Sequence, residues 1–184
     1  FLIDENILKK IISGAELTSE DIVVEVGPGV GTLTTALAQH AAKVVAVEID
    51  QSLKPILEET LKGSDNVEVI YGDILKLNLN ELISNNLSGQ PFKVVANLPY
   101  YITTPIIMNF LENQYPYISI TVMIQQEVAR RMTAKPGSKE YGSLSVAVQF
   151  YTQPRLICKV PASVFIPRPN VDSMVITLEK RSKP

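Results

Sequence analysis

The chain has 184 residues, 46% of them apolar and 20% charged, and a net charge of −2, which suits one soluble α/β-sized domain with enough apolar residues for a full core. A single cysteine, Cys158, and a single histidine, His40, exclude an intrachain disulfide, a cysteine metal cluster and a paired-histidine site, so no metal is expected. No apolar run reaches the roughly 18 residues that span a bilayer and no secretory signal opens the chain, which predicts a cytoplasmic protein with no membrane association.

In chain order, Ile7, Leu8, Ile11 and Ile12 recur at helical spacing after the cap residue Asp4 and predict a leading helix that ends near Gly14. Short β-branched runs follow at 22–26, 44–47, 67–71, 92–96 and 118–124, and each reads as a strand. Because these runs are continuously apolar, both their faces are expected to be buried, as in a parallel sheet flanked by helices. Helices are predicted at 33–39, 53–61, 104–111, 127–132 and 143–151. Two last strands, 156–160 and 174–178, are too close in sequence for an ordinary crossover helix and predict an antiparallel hairpin closing the sheet. The expected fold is therefore α/β and doubly wound: a mostly parallel seven-stranded sheet with an antiparallel C-terminal hairpin and helices on both faces.

The small net charge conceals an asymmetry. Residues 1–124 carry 7 basic and 15 acidic side chains, whereas residues 125–184 carry 10 basic and 4 acidic ones. Arg130, Arg131, Lys135, Lys139, Arg155, Lys159 and Arg168 of this basic end are candidates for neutralising RNA phosphates, the alternative being an ordinary solvated face.

The first strand runs into Glu25-Val-Gly27-Pro-Gly29-Val-Gly31-Thr32, where glycines permit a tight turn and let a ligand approach the backbone. The spacing is G-x-G-x-G rather than the G-x-G-x-x-G of dinucleotide binders, and an acid at Glu25 would repel a pyrophosphate. A cationic cofactor without phosphate, S-adenosylmethionine, fits better than NAD; a glycine turn with no ligand is the plain alternative. Glu48 ends the second strand 21 residues after Gly27, the usual place for an acid that accepts from ribose hydroxyls. After the third strand, Tyr71-Gly72-Asp73-Ile74 offers Asp73 to an adenine amine, with Ile49 and Ile74 flanking the ring, or forms a plain Gly-Asp turn.

The fourth strand leads into Ala96-Asn97-Leu98-Pro99-Tyr100-Tyr101, at the carboxyl edge where such sheets bind ligands. Asn97-Leu98-Pro99-Tyr100 resembles motif IV of N6-adenine methyltransferases. With Tyr101-Ile-Thr-Thr-Pro105 the chain resembles the small-subunit ribosomal RNA adenine N6,N6-dimethyltransferase family of bacteria. Four other blocks agree: Phe1-Leu2-Ile3-Asp4, Gln125 to Arg130, Tyr141 to Ser145, and Val164 to Ser173. The resemblance covers essentially the whole chain. It implies a Rossmann-like class I methyltransferase domain over 1–184, with Leu2, Gly27, Gly29, Gly31, Gly72 and Asn97 also at the cofactor. It implies further that the Asn97 oxygen and the Leu98 carbonyl accept from the adenine amine and that Pro99 stiffens their loop. An extruded adenine would be held between Tyr100 and Phe165, the latter presented by a proline-rich loop. The implied substrate is a pair of adjacent adenosines in the 3′-terminal hairpin of 16S rRNA, each methylated twice within immature 30S subunits, by an enzyme taken as monomeric. A chain that opens on Phe1 reads as a fragment, the family's C-terminal helical domain lying outside it. Two rivals are a 23S rRNA resistance methyltransferase, against which Leu98 and Tyr101 tip the choice, and a non-catalytic RNA-binding assembly factor; an NAD dehydrogenase is a third. His40 is expected to be a solvated helix-end residue, and Cys158 a small buried apolar one.

Overall fold

The computed structural model describes residue 2 and residues 4–183. Of the Phe1–Asp4 block, Phe1 and Ile3 lie outside the described residues. Seven strands, β1 (Ile22–Val26), β2 (Lys43–Glu48), β3 (Val67–Tyr71), β4 (Phe92–Asn97), β5 (Tyr117–Gln125), β6 (Thr152–Val160) and β7 (Ser173–Lys180), form one sheet in the order β3-β2-β1-β4-β5-β7-β6. Strands β1 to β5 pair in parallel, and β7 runs antiparallel to both β5 and β6. This is the mostly parallel sheet with an antiparallel C-terminal pair that the sequence predicts.

Adjacent residues along each strand serve opposite faces. Val23, Val44, Val95, Met123 and Val175 pack on one face with Ile7 and Ile11 of α1 (Glu5–Gly14) and with Leu33 and Leu37 of α2 (Thr32–Ala38). Their neighbours Val24, Val45, Val94, Val122 and Ile176 pack on the other face. There they meet α4 (Leu79–Asn86), α5 (Thr103–Glu112), α6 (Gln126–Thr133) and α7 (Ser143–Tyr151). Between β2 and β3 lies α3 (Lys54–Thr60). The predicted cap is present: Asp4 Oδ1 accepts from the Asn6 and Ile7 amides at 2.8 and 3.2 Å, satisfying free N–H groups of α1.

The structure adds two features that the sequence reading lacks. The reading places no helix between the third and fourth strands, yet α4 is there. Asn78 and Glu81 cap it reciprocally, and Leu79, Leu82 and Ile83 face the core. Strand β6 begins at Thr152, four residues before the predicted start, directly after α7. Pro154 lies within this strand, which is tolerated because β6 is an edge strand paired only with β7, and an edge accommodates a residue without an N–H.

At the turn from β1 into α2, Gly31 has φ +91°, and a Cβ there would lie 3.0 Å from Thr60 Cγ2. Gly31→Ala should therefore cost at least about 1–2 kcal/mol, the left-handed penalty alone. Denaturant unfolding checks this, and an unchanged midpoint would refute it.

Candidate active site

The carboxyl ends of β3, β2, β1 and β4 lie side by side, so the motifs that follow them in sequence meet along one edge. Backbone pairing continues past the strands and fixes these loops. The Gly27 amide donates to Val47 at 2.9 Å, Gly72 to Glu48 at 2.8 Å and Leu98 to Met123 at 3.3 Å. A cavity of about 330 Å³ opens here, with Leu2, Glu25, Gly27, Gly29, Asn97 to Tyr100 and Phe165 in its walls.

Glu25 is the electrostatic centre of this cavity. It is 1% exposed, and its Oε2 has no hydrogen-bond partner among the described residues. Burial pushes its carboxyl up to about 8; the Thr34 hydroxyl opposes this without reaching hydrogen-bonding geometry, and the Glu48 charge adds to it. The Thr34 hydroxyl is likewise buried without a partner. A buried, unpaired acid facing a cavity is costly unless a cationic or hydrogen-donating group completes it. At Gly27, φ is +69° and a Cβ would meet nothing within 4 Å. The backbone there is thus open to close approach by a ligand, and a side chain would obstruct it.

Glu48 is 4% exposed and holds the glycine loop: its Oε2 accepts from the Gly29 amide at 3.0 Å and its Oε1 from the Asp50 amide at 2.9 Å. Each oxygen retains an accepting site for a hydroxyl. Asp73 accepts from the Leu75 amide at 3.0 Å and keeps its side chain 27% exposed. The two isoleucines expected around the adenine ring part company. Ile49 is 62% exposed and available, whereas Ile74 is 4% exposed and packs in the larger core. Ile74 thus offers an adenine ring little exposed side chain, most of it being packed in the core. Glu48, Ile49, Gly72, Asp73 and Ile74 lie on the same sheet edge but outside the walls of this cavity.

Asn97 ends β4 half-buried in the cavity wall, and its side-chain amide makes no hydrogen bond to another described residue. Leu98 is 2% exposed, so its side chain pins the loop into the core. The Pro99 carbonyl accepts from the Ile102 amide at 3.2 Å and from the Thr103 hydroxyl at 3.1 Å, closing a 3-10 turn that seats Tyr100. Tyr100 Oη lies 2.6 Å from Ser173 Oγ, tying the ring to β7. Phe165 is 9% exposed, bridges to Leu2 and belongs to the smaller core. The expectation of a presented Phe165 is corrected to a packed one whose ring still borders the cavity.

Sequence reasoning missed Thr34 and Ser173. Thr34 sits at an inward position of α2 between Leu33 and Leu37, where an apolar residue would be ordinary, and that mismatch was the available signal. Tyr100→Phe keeps the ring and removes its bond to Ser173, which should lower stability by about 1 kcal/mol. Equal unfolding midpoints for the two proteins would show that this bond does not hold the ring.

Of the basic residues, Arg155 pairs with Glu16 at 3.2 Å and Lys159 with Asp172 at 3.1 Å, so these two are engaged within the fold. Arg130, Arg131, Lys135, Lys139 and Arg168 are exposed and form no ion pair among the described residues. His40 is exposed, its Nδ1 2.9 Å from the Ala36 carbonyl. Cys158 is half-buried rather than buried, and that burial pushes its thiol up. Among the described residues no group of three or more His, Cys, Asp or Glu side chains is arranged to hold a metal, and no helix is long and apolar enough to cross a membrane.

The whole chain, residues 1–184, matches the family model described as ribosomal RNA adenine dimethylase. It belongs to that family. Ribosomal RNA small subunit methyltransferase A of Alkaliphilus metalliredigens is 55% identical to this dimethylase-family chain over 184 residues, which are 100% of the chain and 64% of that protein. The chain spans less than two thirds of the length of the curated relatives it matches. A dimethyladenosine transferase from Plasmodium falciparum superposes with a TM-score of 0.86 at 32% identity, over 98% of this chain and 63% of that one. The 23S rRNA methyltransferase ErmE superposes with a TM-score of 0.85 at 33% identity, over 100% and 71%. Neither fold similarity nor identity separates these two solved structures: their TM-scores are 0.86 and 0.85 and their identities 32% and 33%.

Proposed function

We propose that the chain is the S-adenosylmethionine-binding catalytic domain of an rRNA adenine N6,N6-dimethyltransferase. Its substrate is two adjacent adenosines in the 3′-terminal hairpin of 16S rRNA, within immature 30S subunits, and it acts as a monomer in the cytoplasm. The observation that carries this reading is the placement of Asn97-Leu98-Pro99-Tyr100 in one cavity with the unpaired Glu25 carboxyl. The 55% identity to a small-subunit methyltransferase favours 16S over 23S rRNA.

The residues present fit S-adenosylmethionine: an orphaned buried acid suits its α-ammonium, and the open backbone at Gly27 accommodates its close approach. When bound, the cofactor supplies a methyl group already activated by its sulfonium. Glu48 and Asp73 accept from the ribose hydroxyls and adenine amine, while Gly29 and Gly31 shape the loop that Glu48 ties down. The target adenine N6 is a poor nucleophile, because its lone pair is delocalised into the ring. The Asn97 oxygen and the Leu98 carbonyl accept hydrogen bonds from its N–H groups and favour the pyramidal nitrogen of the transition state. Tyr100 and Phe165, which line the same cavity, hold the extruded base between them. Arg130, Arg131, Lys135, Lys139 and Arg168 neutralise phosphates of the surrounding RNA.

The test is transfer of labelled methyl groups to immature small subunits and to large-subunit RNA by the full-length protein, with calorimetric titration of S-adenosylmethionine and NAD. Dimethyladenosine only in small-subunit rRNA is expected. Label in large-subunit RNA would select the resistance-enzyme reading, no transfer the assembly-factor reading, and preference for NAD would overturn the cofactor.

A further inference from the structure

One residue beyond the Tyr100–Ser173 hydrogen bond lies a second cavity, of about 390 Å³, lined by Gln125, Gln126, Glu127, Arg130, Glu140 and the Val171-Asp172 segment. Ser173 links the two cavities: its hydroxyl meets Tyr100 of the first, and it adjoins Asp172 of the second. Gln125 pairs with Ser173 across β5 and β7, and the Gln126 amide donates to the Asp172 carbonyl at 3.1 Å. The proline-rich loop borders both, with Pro167 and Pro169 at the first cavity and Val171 and Asp172 at the second.

The polar side chains of this second cavity do not satisfy one another. Those of Gln125, Gln126, Glu127, Arg130 and Glu140 form no hydrogen bond or ion pair with another described residue, although Arg130 shares the space with carboxylates. Only Asp172 is committed, to the Ala162 amide at 2.9 Å and to Lys159 at 3.1 Å. The free set is mixed in kind. Carboxylates only accept, a guanidinium only donates, and amides do both. Val171, 46% exposed, adds an apolar surface. Three carboxylates disfavour a simple anion, and Arg130 with the two amides disfavours a bare cation. An unpaired nucleotide carries the complementary inventory: N–H donors and acceptors on the base edge, an apolar face, and a phosphate.

We infer that this cavity receives the nucleotide adjacent to the target adenosine. Glu127 and Glu140 accept from its exocyclic amine, the glutamine amides meet its remaining edge, and Arg130 takes the phosphate between the two nucleotides. The inference rests on the RNA-methyltransferase reading and deepens it. The flanking base is read directly, so that the site selects a pair of nucleotides rather than a lone adenosine.

The test uses full-length protein and hairpin RNAs with one target adenosine flanked by adenosine, by purine riboside, which lacks the amine, or by an abasic residue. Binding is read by fluorescence anisotropy. The wild type is expected to bind the adenosine-flanked RNA about tenfold more tightly than the abasic one, with purine riboside between them. The double variant Glu127→Gln, Glu140→Gln, at unchanged thermal stability, should bind the adenosine and purine riboside forms equally, whereas Arg130→Ala should weaken all three alike. Equal wild-type binding of the three RNAs, or a double variant that keeps the wild-type ratio, overturns the inference. Methyl transfer is measured separately: its absence refutes the enzyme reading, while the binding ratios still decide the cavity.

Discussion

Asn97→Ala should lower kcat for methyl transfer by about 10²–10³-fold, the usual cost of removing one preorganised polar group that acts on the transition state. Asn97 is the one side chain of its motif with uncommitted hydrogen-bonding capacity in the cavity, since Leu98 is buried and Tyr100 is tied to Ser173. The loop itself is held by other groups, namely the Leu98 amide on Met123 and the Thr103 hydroxyl on Pro99. The variant should therefore fold and keep the affinity of the wild type for RNA. A group that acts only in the transition state changes kcat and kcat/KM together. Single-turnover rates with full-length protein check this, and a variant that retains wild-type kcat would remove Asn97 from the chemistry.

Glu25→Gln should have opposite effects on cofactor binding and on stability. Burial holds the Glu25 carboxyl at about 8 in the folded chain, against 4.5 for an ordinary glutamate. Because the folded value is the higher one, its contribution to stability is fully present below pH 4.5 and is lost as pH rises to about 8. The loss is on the order of 4–5 kcal/mol. Glutamine removes that dependence, so denaturant unfolding at pH 5 and pH 9 should show the variant gaining most of this amount on the wild type at the higher pH. Binding a cationic cofactor requires the ionised acid. Wild-type affinity for S-adenosylmethionine should therefore rise roughly tenfold per pH unit between about pH 6 and 7.5, with one proton displaced per ligand. The variant should bind weakly and with little pH dependence. A parallel pH profile for the two proteins would take Glu25 out of the cofactor site.

The sheet was legible in the sequence because its strands are short β-branched runs: 22–26 and 67–71 match β1 and β3 residue for residue, although β3, at one edge of the sheet, is only half-buried. Helix α4 was not, although Asn78 and Glu81 form a capping pair, because its apolar positions are few and its last turn, 84–86, is polar. The start of β6 was hidden by Pro154, whose meaning depends on whether a strand is central or at an edge, and topology alone decides that. Within the site, Glu25, Gly27 and Asn97 could be named because glycine spacing and strand ends fix where a backbone turns. The fates of Ile74 and Phe165 depended on which way a side chain leaves a loop, and loop sequences do not encode that locally. Ion pairing of Arg155 and Lys159 was equally invisible, since Glu16 lies at the opposite end of the chain from Arg155.

Strand β7 is the last of the seven in sequence yet lies inside the sheet, between β5 and β6. During synthesis β1 to β5 and the cofactor loops can assemble as they emerge, whereas β6 waits without a partner until β7 inserts beside it. Ser173, the first residue of β7, is also the anchor of Tyr100. On the proposed reading, the wall that anchors Tyr100 against the base is therefore among the last parts of the domain to form, and a nascent chain released before that strand would carry the glycine loop without that anchor. Limited proteolysis of chains stalled at successive lengths would show β6 remaining cleavable until β7 has emerged.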